Sequence, residues 1–274
     1  MSEEATHPGL DDLLAEIGDA GERLNDIGAC EGAAGNISVA VGWPLHLGAR
    51  FPLTEPIKLP QPAPALAGKV VIATGSGCRL RDLRLDPGGN LGLVMIDPGG
   101  ETGVLHTAPQ RRFRSITSEF NSHLAVHDDQ LARTAGEFNA LIHAQPPHIT
   151  YLSHVAEYRD QKRMNRRLMR WEPETIVQLP EGVGVLPFIL PGSPDLMRAT
   201  VAGLRDHQVV VWSKHGVMAR SAVSVRGATD RIDYVEAAAQ YEYLNLLNGG
   251  LADGLSKDEL RQVVASLGIK TPLL

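Results

Sequence analysis

Asn139-Ala-Leu-Ile-His-Ala-Gln-Pro-Pro-His-Ile-Thr-Tyr-Leu-Ser-His154 is the stretch on which the reading of this chain turns. Its apolar run, Ala140-Leu141-Ile142, ends at His143, and Pro146-Pro147 follow closely. The pattern predicts a buried strand that delivers a histidine to its end, then a break, then a new element. A histidine so placed suits a metal or a catalytic position, and equally a hydrogen bond that merely holds it still. Gln208-Val-Val-Val-Trp212 repeats the arrangement, as a strongly apolar strand running into Ser213-Lys214-His215-Gly216.

Outward from these strands, helical and extended patterns alternate. Leu10, Leu13, Leu14, Ile17, Leu24 and Ile27 fall mostly three or four apart and predict an amphipathic helix over 10–27, stopped by Gly28. Strands are expected at 37–42, 69–74, 91–96 and within 101–114, and a further one with the turn Pro180-Glu181-Gly182 in 175–190. Helices are expected at 117–125, 148–158, 195–206, 228–247 and 256–267, the fourth with Ile232, Val235, Ala239, Tyr243 and Leu246 on its apolar face. Residues 43–68 carry Pro44, Pro52, Pro56, Pro60, Pro62 and Pro64 and read as an irregular, ordered surface connection. With no repeat, composition shift or flexible linker, the whole chain, 1–274, is expected to form one α/β domain.

Composition narrows the class. The 274 residues are 43% hydrophobic and 21% charged, ordinary values for a globular protein. A net charge of −6 argues against a general nucleic-acid binder, which needs a basic face. The two cysteines, Cys30 and Cys78, stand far apart and indicate neither a disulfide framework nor a cysteine-type zinc site. The acidic start, Met1-Ser2-Glu3-Glu4-Ala5, lacks the features of a signal peptide, and no apolar run reaches the roughly 20 residues that cross a bilayer. A cytoplasmic protein with no membrane or nucleic-acid partner is expected.

Several turns carry candidate chemistry. Glu31-Gly-Ala-Ala-Gly-Asn-Ile-Ser38 combines small residues with Asn36 and Ser38, which can bond a ligand or close a plain turn, the latter being favoured from the residues alone. Thr74-Gly75-Ser76-Gly77 follows a strand and can offer backbone N–H groups to an anion, although a tight turn explains it as well. It is not a Walker loop, because the Lys-Ser/Thr ending is absent. Thr117 or Ser118 can cap the following helix, with Glu119 complementing its dipole. His123 and His127 lie one helical turn apart, a metal spacing, but no acidic partner completes the pattern and they read as half-exposed helix residues. Arg159, Lys162, Arg163, Arg166, Arg167 and Arg170 read as a solvated helix face, or alternatively as a rim attracting an anionic substrate.

Together, two strand-end histidines, a helix-start carboxylate and hydroxyl-bearing turns make a metal site beside an anion site. That pair suits a phosphorylated sugar whose carbonyl is polarised by a divalent ion.

Gly35-Asn36-Ile37-Ser38, Thr74-Gly75-Ser76-Gly77, Leu85-Asp86-Pro87, Asn90-Leu91-Gly92, Thr117-Ser118-Glu119, Glu181-Gly-Val-Gly-Val-Leu-Pro187, Pro191-Gly192 and His215-Gly216-Val217 occur in order along nearly the whole chain. In these motifs the sequence resembles the class II aldolase/adducin superfamily, most closely its bacterial rhamnulose-1-phosphate aldolases. The resemblance implies a mixed, mainly antiparallel sheet between helix layers, assembled as a homotetramer with active sites at subunit interfaces. It implies phosphate binding by Asn36, Ser76 and Ser118, framed by Gly35, Thr74 and Gly75, and zinc binding by His143 and His215. Glu119 takes the position of the carboxylate that handles the proton, and Glu174 that of a glutamate offered across the interface. The implied reaction is reversible cleavage of a ketose 1-phosphate to dihydroxyacetone phosphate and an aldehyde, L-lactaldehyde in the case of L-rhamnulose 1-phosphate. A sugar-phosphate epimerase or dehydratase and a non-catalytic adducin-like relative are the alternatives on this scaffold. The family pattern His-x-His reads His143-Ala144-Gln145 here. Gln145 thus stands at a ligand position as a neutral and weaker zinc donor than imidazole, which leaves three outcomes: weaker zinc binding with activity kept, a preference for a harder divalent ion, or a non-catalytic relative. His148, three residues further on, reads as the start of a helix and not as a substitute ligand.

Overall fold

A computed structural model of the chain describes residues 7–274; the acidic segment read for a leader lies outside them. Among the described residues, the strands are β1 (Asn36–Val41), β2 (Leu53–Lys58), β3 (Val70–Thr74), β4 (Leu91–Ile96), β5 (Thr102–Thr107), β6 (Phe138–Ala144), β7 (Val183–Leu186), β8 (Val209–Trp212) and β9 (Gly216–Ser221). The helices are α1 (Leu10–Asp26), α2 (Pro87–Asn90), α3 (Phe120–Thr134), α4 (Pro147–His154), α5 (Gln161–Leu168), α6 (Pro173–Gln178), α7 (Pro194–Asp206), α8 (Val225–Leu247) and α9 (Lys257–Ser266). The strands form one sheet in the order β2-β5-β4-β3-β1-β6-β9-β8-β7. Neighbours run antiparallel except β7 and β8, which are parallel. The expected α/β fold, with a mixed and mainly antiparallel sheet between helix layers, is the one the chain adopts.

Central strands β1 and β6 show how the sequence sorts its side chains. Alternate residues of a strand face opposite sides of the sheet. Ile37, Val39 and Val41 join Ala140, Ile142 and Ala144 in a core shared with α1, α4 and α8. The interleaved residues Asn36, Ser38, Asn139 and His143 face the other side, toward α3 and α7. Register places Asn36 opposite His143. A row of polar groups is thereby buried in mid-sheet, where each must find a hydrogen-bond partner.

Several expected elements shift. The proline-rich segment contains a full strand, β2, paired with β5 alone. Pro56 is tolerated there because an edge strand has one ladder to satisfy. β9, between the apolar strand β8 and α8, had no separate sequence signal and completes the sheet beside β6. α3 begins at Phe120 and runs to Thr134, well past the predicted stop, because Val126, Gln130 and Leu131 remain buried along it. His123 and His127, expected to be half-exposed, are fully buried.

On α8 the apolar face does not continue to its end. Leu246 is exposed, and Glu242, fully buried, takes the inward position. The basic segment serves this carboxylate: Arg170 Nη2 donates to Glu242 Oε2 over 2.9 Å, and Trp171 Nε1 does so over 3.0 Å. Arg167 lies 3.7 Å away, and the Tyr158 hydroxyl donates to the second oxygen. Burial, followed by Glu242, raises the Tyr158 phenol above its ordinary value. Arg167 and Arg170 therefore pair with a buried carboxylate. Glu242→Ala strands these cations and donors and is expected to cost about 3–5 kcal/mol, the usual effect of removing one partner of a buried pair. Urea denaturation, followed by circular dichroism, checks this.

Candidate active site

β1, β6, the β8–β9 turn and the start of α3 converge on one cavity of about 220 Å³. Gly35, Asn36, Ser76, Ser118, Glu119, His143, Gln145 and His215 are among the residues that line it. His143 Nδ1 donates to the Val217 carbonyl over 2.9 Å, which leaves Nε2 with its lone pair toward the cavity. The ring packs on Trp212 and against His215, with centroids 4.6 and 4.7 Å apart. His215 is presented by the turn after β8, in which Lys214 adopts a left-handed φ of 66°. Its Nδ1 is buried without a partner, and its Nε2 lies 4.0 Å from Glu119 Oε1.

Glu119 precedes the first turn of α3, yet its carboxylate does not cap the helix. It turns into the cavity, 3.7 Å from His143 Nε2, and accepts from Asn36 Nδ2 over 2.8 Å. Burial alone would raise this carboxyl, but His143 and then the Asn36 hydrogen bond, His123 and His215 hold it below the usual range. Burial, reinforced by His143, lowers His215 to about 4. Glu119 is thus ionised and His215 carries a free nitrogen near neutral pH. One ligand atom from each of Glu119, His143 and His215 lies within 4.8 Å of the others, a donor set that fits a divalent ion.

The remaining predicted residues divide. Ser76 and Ser118 line the cavity and are exposed, beside the N-terminus of the 15-residue α3. Such a helix end favours an anion. Gly75 lies in the same wall, where a Cβ would fall 2.1 Å from Phe113 Cγ. Gly35 holds φ at +82° against β6, where a Cβ would fall 2.9 Å from the His143 carbonyl oxygen. Thr74 does not line the cavity; its hydroxyl accepts from Ile37 N over 3.2 Å. Asn36 lines the cavity but spends its amide on Glu119 and His123. Gln145 lines the cavity beside the histidines, with its backbone N–H donating to the Ala29 carbonyl. Glu174 is exposed in the first turn of α6 and lies outside the cavity. His148 pairs with Glu236 at 2.6 Å, in the first turn of α4.

Sequence reasoning missed the polar row behind Glu119, formed by Ser38, His123, His127 and Asn139. The signal was present: Ser38 and Asn139 share strand parity with Asn36 and His143, while His123 and His127 share a helix face with Glu119.

The profile of the class II aldolase and adducin N-terminal domain matches residues 15–243. The chain belongs to that family, whose members include aldolases. Rhamnulose-1-phosphate aldolase of Escherichia coli O7:K1 is 32% identical to it over 218 residues, covering 79% of this chain and 78% of that one. The crystal structure of a sugar-phosphate aldolase from Thermotoga maritima superposes with a TM-score of 0.74 at 26% identity, covering 88% of this chain and 97% of the other. L-fuculose-1-phosphate aldolase from Thermus thermophilus shares the fold, with a TM-score of 0.55 at 20% identity over 89% and 98% of the two chains.

Proposed function

We propose that this chain is a metal-dependent aldolase that reversibly cleaves a ketose 1-phosphate, L-rhamnulose 1-phosphate being the best candidate, to dihydroxyacetone phosphate and an aldehyde. The observation that carries the reading is the convergence of His143, His215 and an ionised Glu119 in one small cavity. The same cavity offers the Ser76 and Ser118 hydroxyls and the α3 N-terminus to a phosphate. The E. coli relative named for the rhamnulose reaction supports that choice of sugar.

His143 and His215, with Gln145 alongside, would hold the ion, which we take to be Zn2+ from its nitrogen donors, with another divalent ion as the alternative. When bound, it supplies Lewis-acid polarisation of the substrate carbonyl. The chain's own groups do the rest. Ser76 and Ser118 orient the phosphate, framed by Gly75 and Gly35. Asn36 fixes Glu119 Oε2 and leaves Oε1 to the substrate. In the condensation direction Glu119 accepts a proton from the carbon beside the carbonyl of dihydroxyacetone phosphate; in cleavage it returns one there. Matching a charged base to a proton that is released only in the transition state is the source of its catalytic effect. By the same family resemblance the 274-residue chain works as one domain in a cytoplasmic homotetramer. Glu174, exposed on α6, then serves the aldehyde end of a neighbouring copy's cavity. Among the described residues no helix is long and apolar enough to cross a membrane.

Release of dihydroxyacetone phosphate from ketose 1-phosphates, followed by a coupled reductase, tests the reading; no release from any of them by metal-loaded protein rejects it. Gln145→His adds an imidazole at the cavity wall. It is expected to tighten zinc binding by at least about tenfold, since imidazole is the better zinc donor. Chelator competition measures this, and an unchanged affinity would place the third ligand elsewhere.

A further inference from the structure

A buried row of polar groups that the proposed reaction leaves unused lies directly behind Glu119. Ser38 Oγ is 2.5 Å from His123 Nδ1 and 2.7 Å from His127 Nε2. His123 Nε2 bonds to Asn36 Oδ1, and Asn36 Nδ2 donates to Glu119 Oε2 over 2.8 Å. At the far end, Asn139 Nδ2 is 2.8 Å from His127 Nδ1. Ser38, His123 and His127 are fully buried, and Asn36, Asn139 and Glu119 nearly so.

With neutral rings, a single placement of protons satisfies all of these contacts. The Glu119 carboxylate accepts only, so Asn36 gives it N–H and turns Oδ1 to His123. His123 then carries its proton on Nε2 and accepts at Nδ1. Ser38 has one proton and gives it to His123, so its oxygen accepts from His127 Nε2–H. His127 Nδ1 accepts from Asn139. Burial lowers His123 to about 4 and His127 well below its ordinary value, which keeps both rings neutral at pH 7. Every dipole in the row therefore points its positive end toward Glu119, and aligned hydrogen bonds polarise one another.

We propose that Asn139, His127, Ser38 and His123 are positioning residues that act through Asn36 to hold the Glu119 carboxylate in one orientation. Its catalytic consequence rests on the reading of Glu119 as the base. A break anywhere in the row frees Asn36 to rotate its carbonyl toward the carboxylate and push it out of line.

The direct test is 15N NMR of protein labelled at histidine, with the two rings assigned by His123→Gln and His127→Gln. Both rings of the unaltered protein are expected to be neutral and protonated on Nε2 at pH 7. A proton on Nδ1 of either ring, or a charged ring, overturns the proposal. A second arm uses Ser38→Ala, which deletes the central hydroxyl. Its kcat for exchange of the dihydroxyacetone phosphate proton with solvent is expected to fall roughly ten- to a hundredfold, as for other partners that orient a reacting group. KM and bound metal per chain are expected to hold, and Ser38→Thr to restore most of the rate. An unchanged kcat, or loss of metal in step with rate, overturns the proposal. If Ser38→Ala does not fold, the ring tautomers of the unaltered protein decide. If the unaltered protein exchanges no proton, the aldolase reading fails, while the tautomers still decide the row.

Discussion

Glu119→Gln is expected to lower turnover by about 10²–10⁴-fold, the range set by loss of a positioned general base, and to leave the bound metal in place. The amide has the size of the carboxylate it replaces, and its oxygen can still accept from Asn36 Nδ2. What disappears is the charge that collects the proton. Burial works against that charge, and the hydrogen bond from Asn36 supports it. Steady-state kinetics with metal content measured on the same sample checks the expectation. Normal turnover in this variant would remove Glu119 from the mechanism. Loss of metal in parallel with turnover would make it a ligand.

His143→Ala is expected to remove the metal and activity together. The ring supplies one of the cavity's two imidazole nitrogens, and the Val217 carbonyl fixes which nitrogen that is. Groups that merely orient a ligand cost about 10–100-fold in affinity when lost, so loss of the ligand itself should exceed about 100-fold. The void left against Trp212 and His215 is expected to lower stability as well. Metal analysis after dialysis, with thermal unfolding of the apo protein as a control, separates these effects. Retention of stoichiometric metal by folded His143→Ala would show that the ion binds elsewhere.

Much of this site was legible from residue order. A strand that ends in histidine announces its own position, because an apolar run must be buried and its terminus must meet a turn. His143 and His215 were found this way, as was the helix start that carries Glu119. The direction of the Glu119 side chain was not legible, since helix capping and site chemistry demand the same residue at the same place. His123 and His127 were misread for a related reason. Their spacing was visible, but their partners Ser38 and Asn139 come from β1 and β6, and only the register of those strands against α3 shows that the rings are buried. β2 escaped because proline argues against a strand until the strand is known to lie at an edge. Glu242 escaped because a buried carboxylate looks like a surface one until its arginines arrive from α5 and the turn beyond it.

The proposed chemistry needs an ion held by His143 and His215 acting together with Glu119 on a ketose phosphate. Its most direct test is release of dihydroxyacetone phosphate from L-rhamnulose 1-phosphate by the unaltered protein as purified, after chelation, and after zinc is returned. The expected result is release that is lost on chelation and restored by zinc at one ion per chain. Release that survives complete removal of divalent metal, or no release from protein that holds one ion per chain, would contradict it.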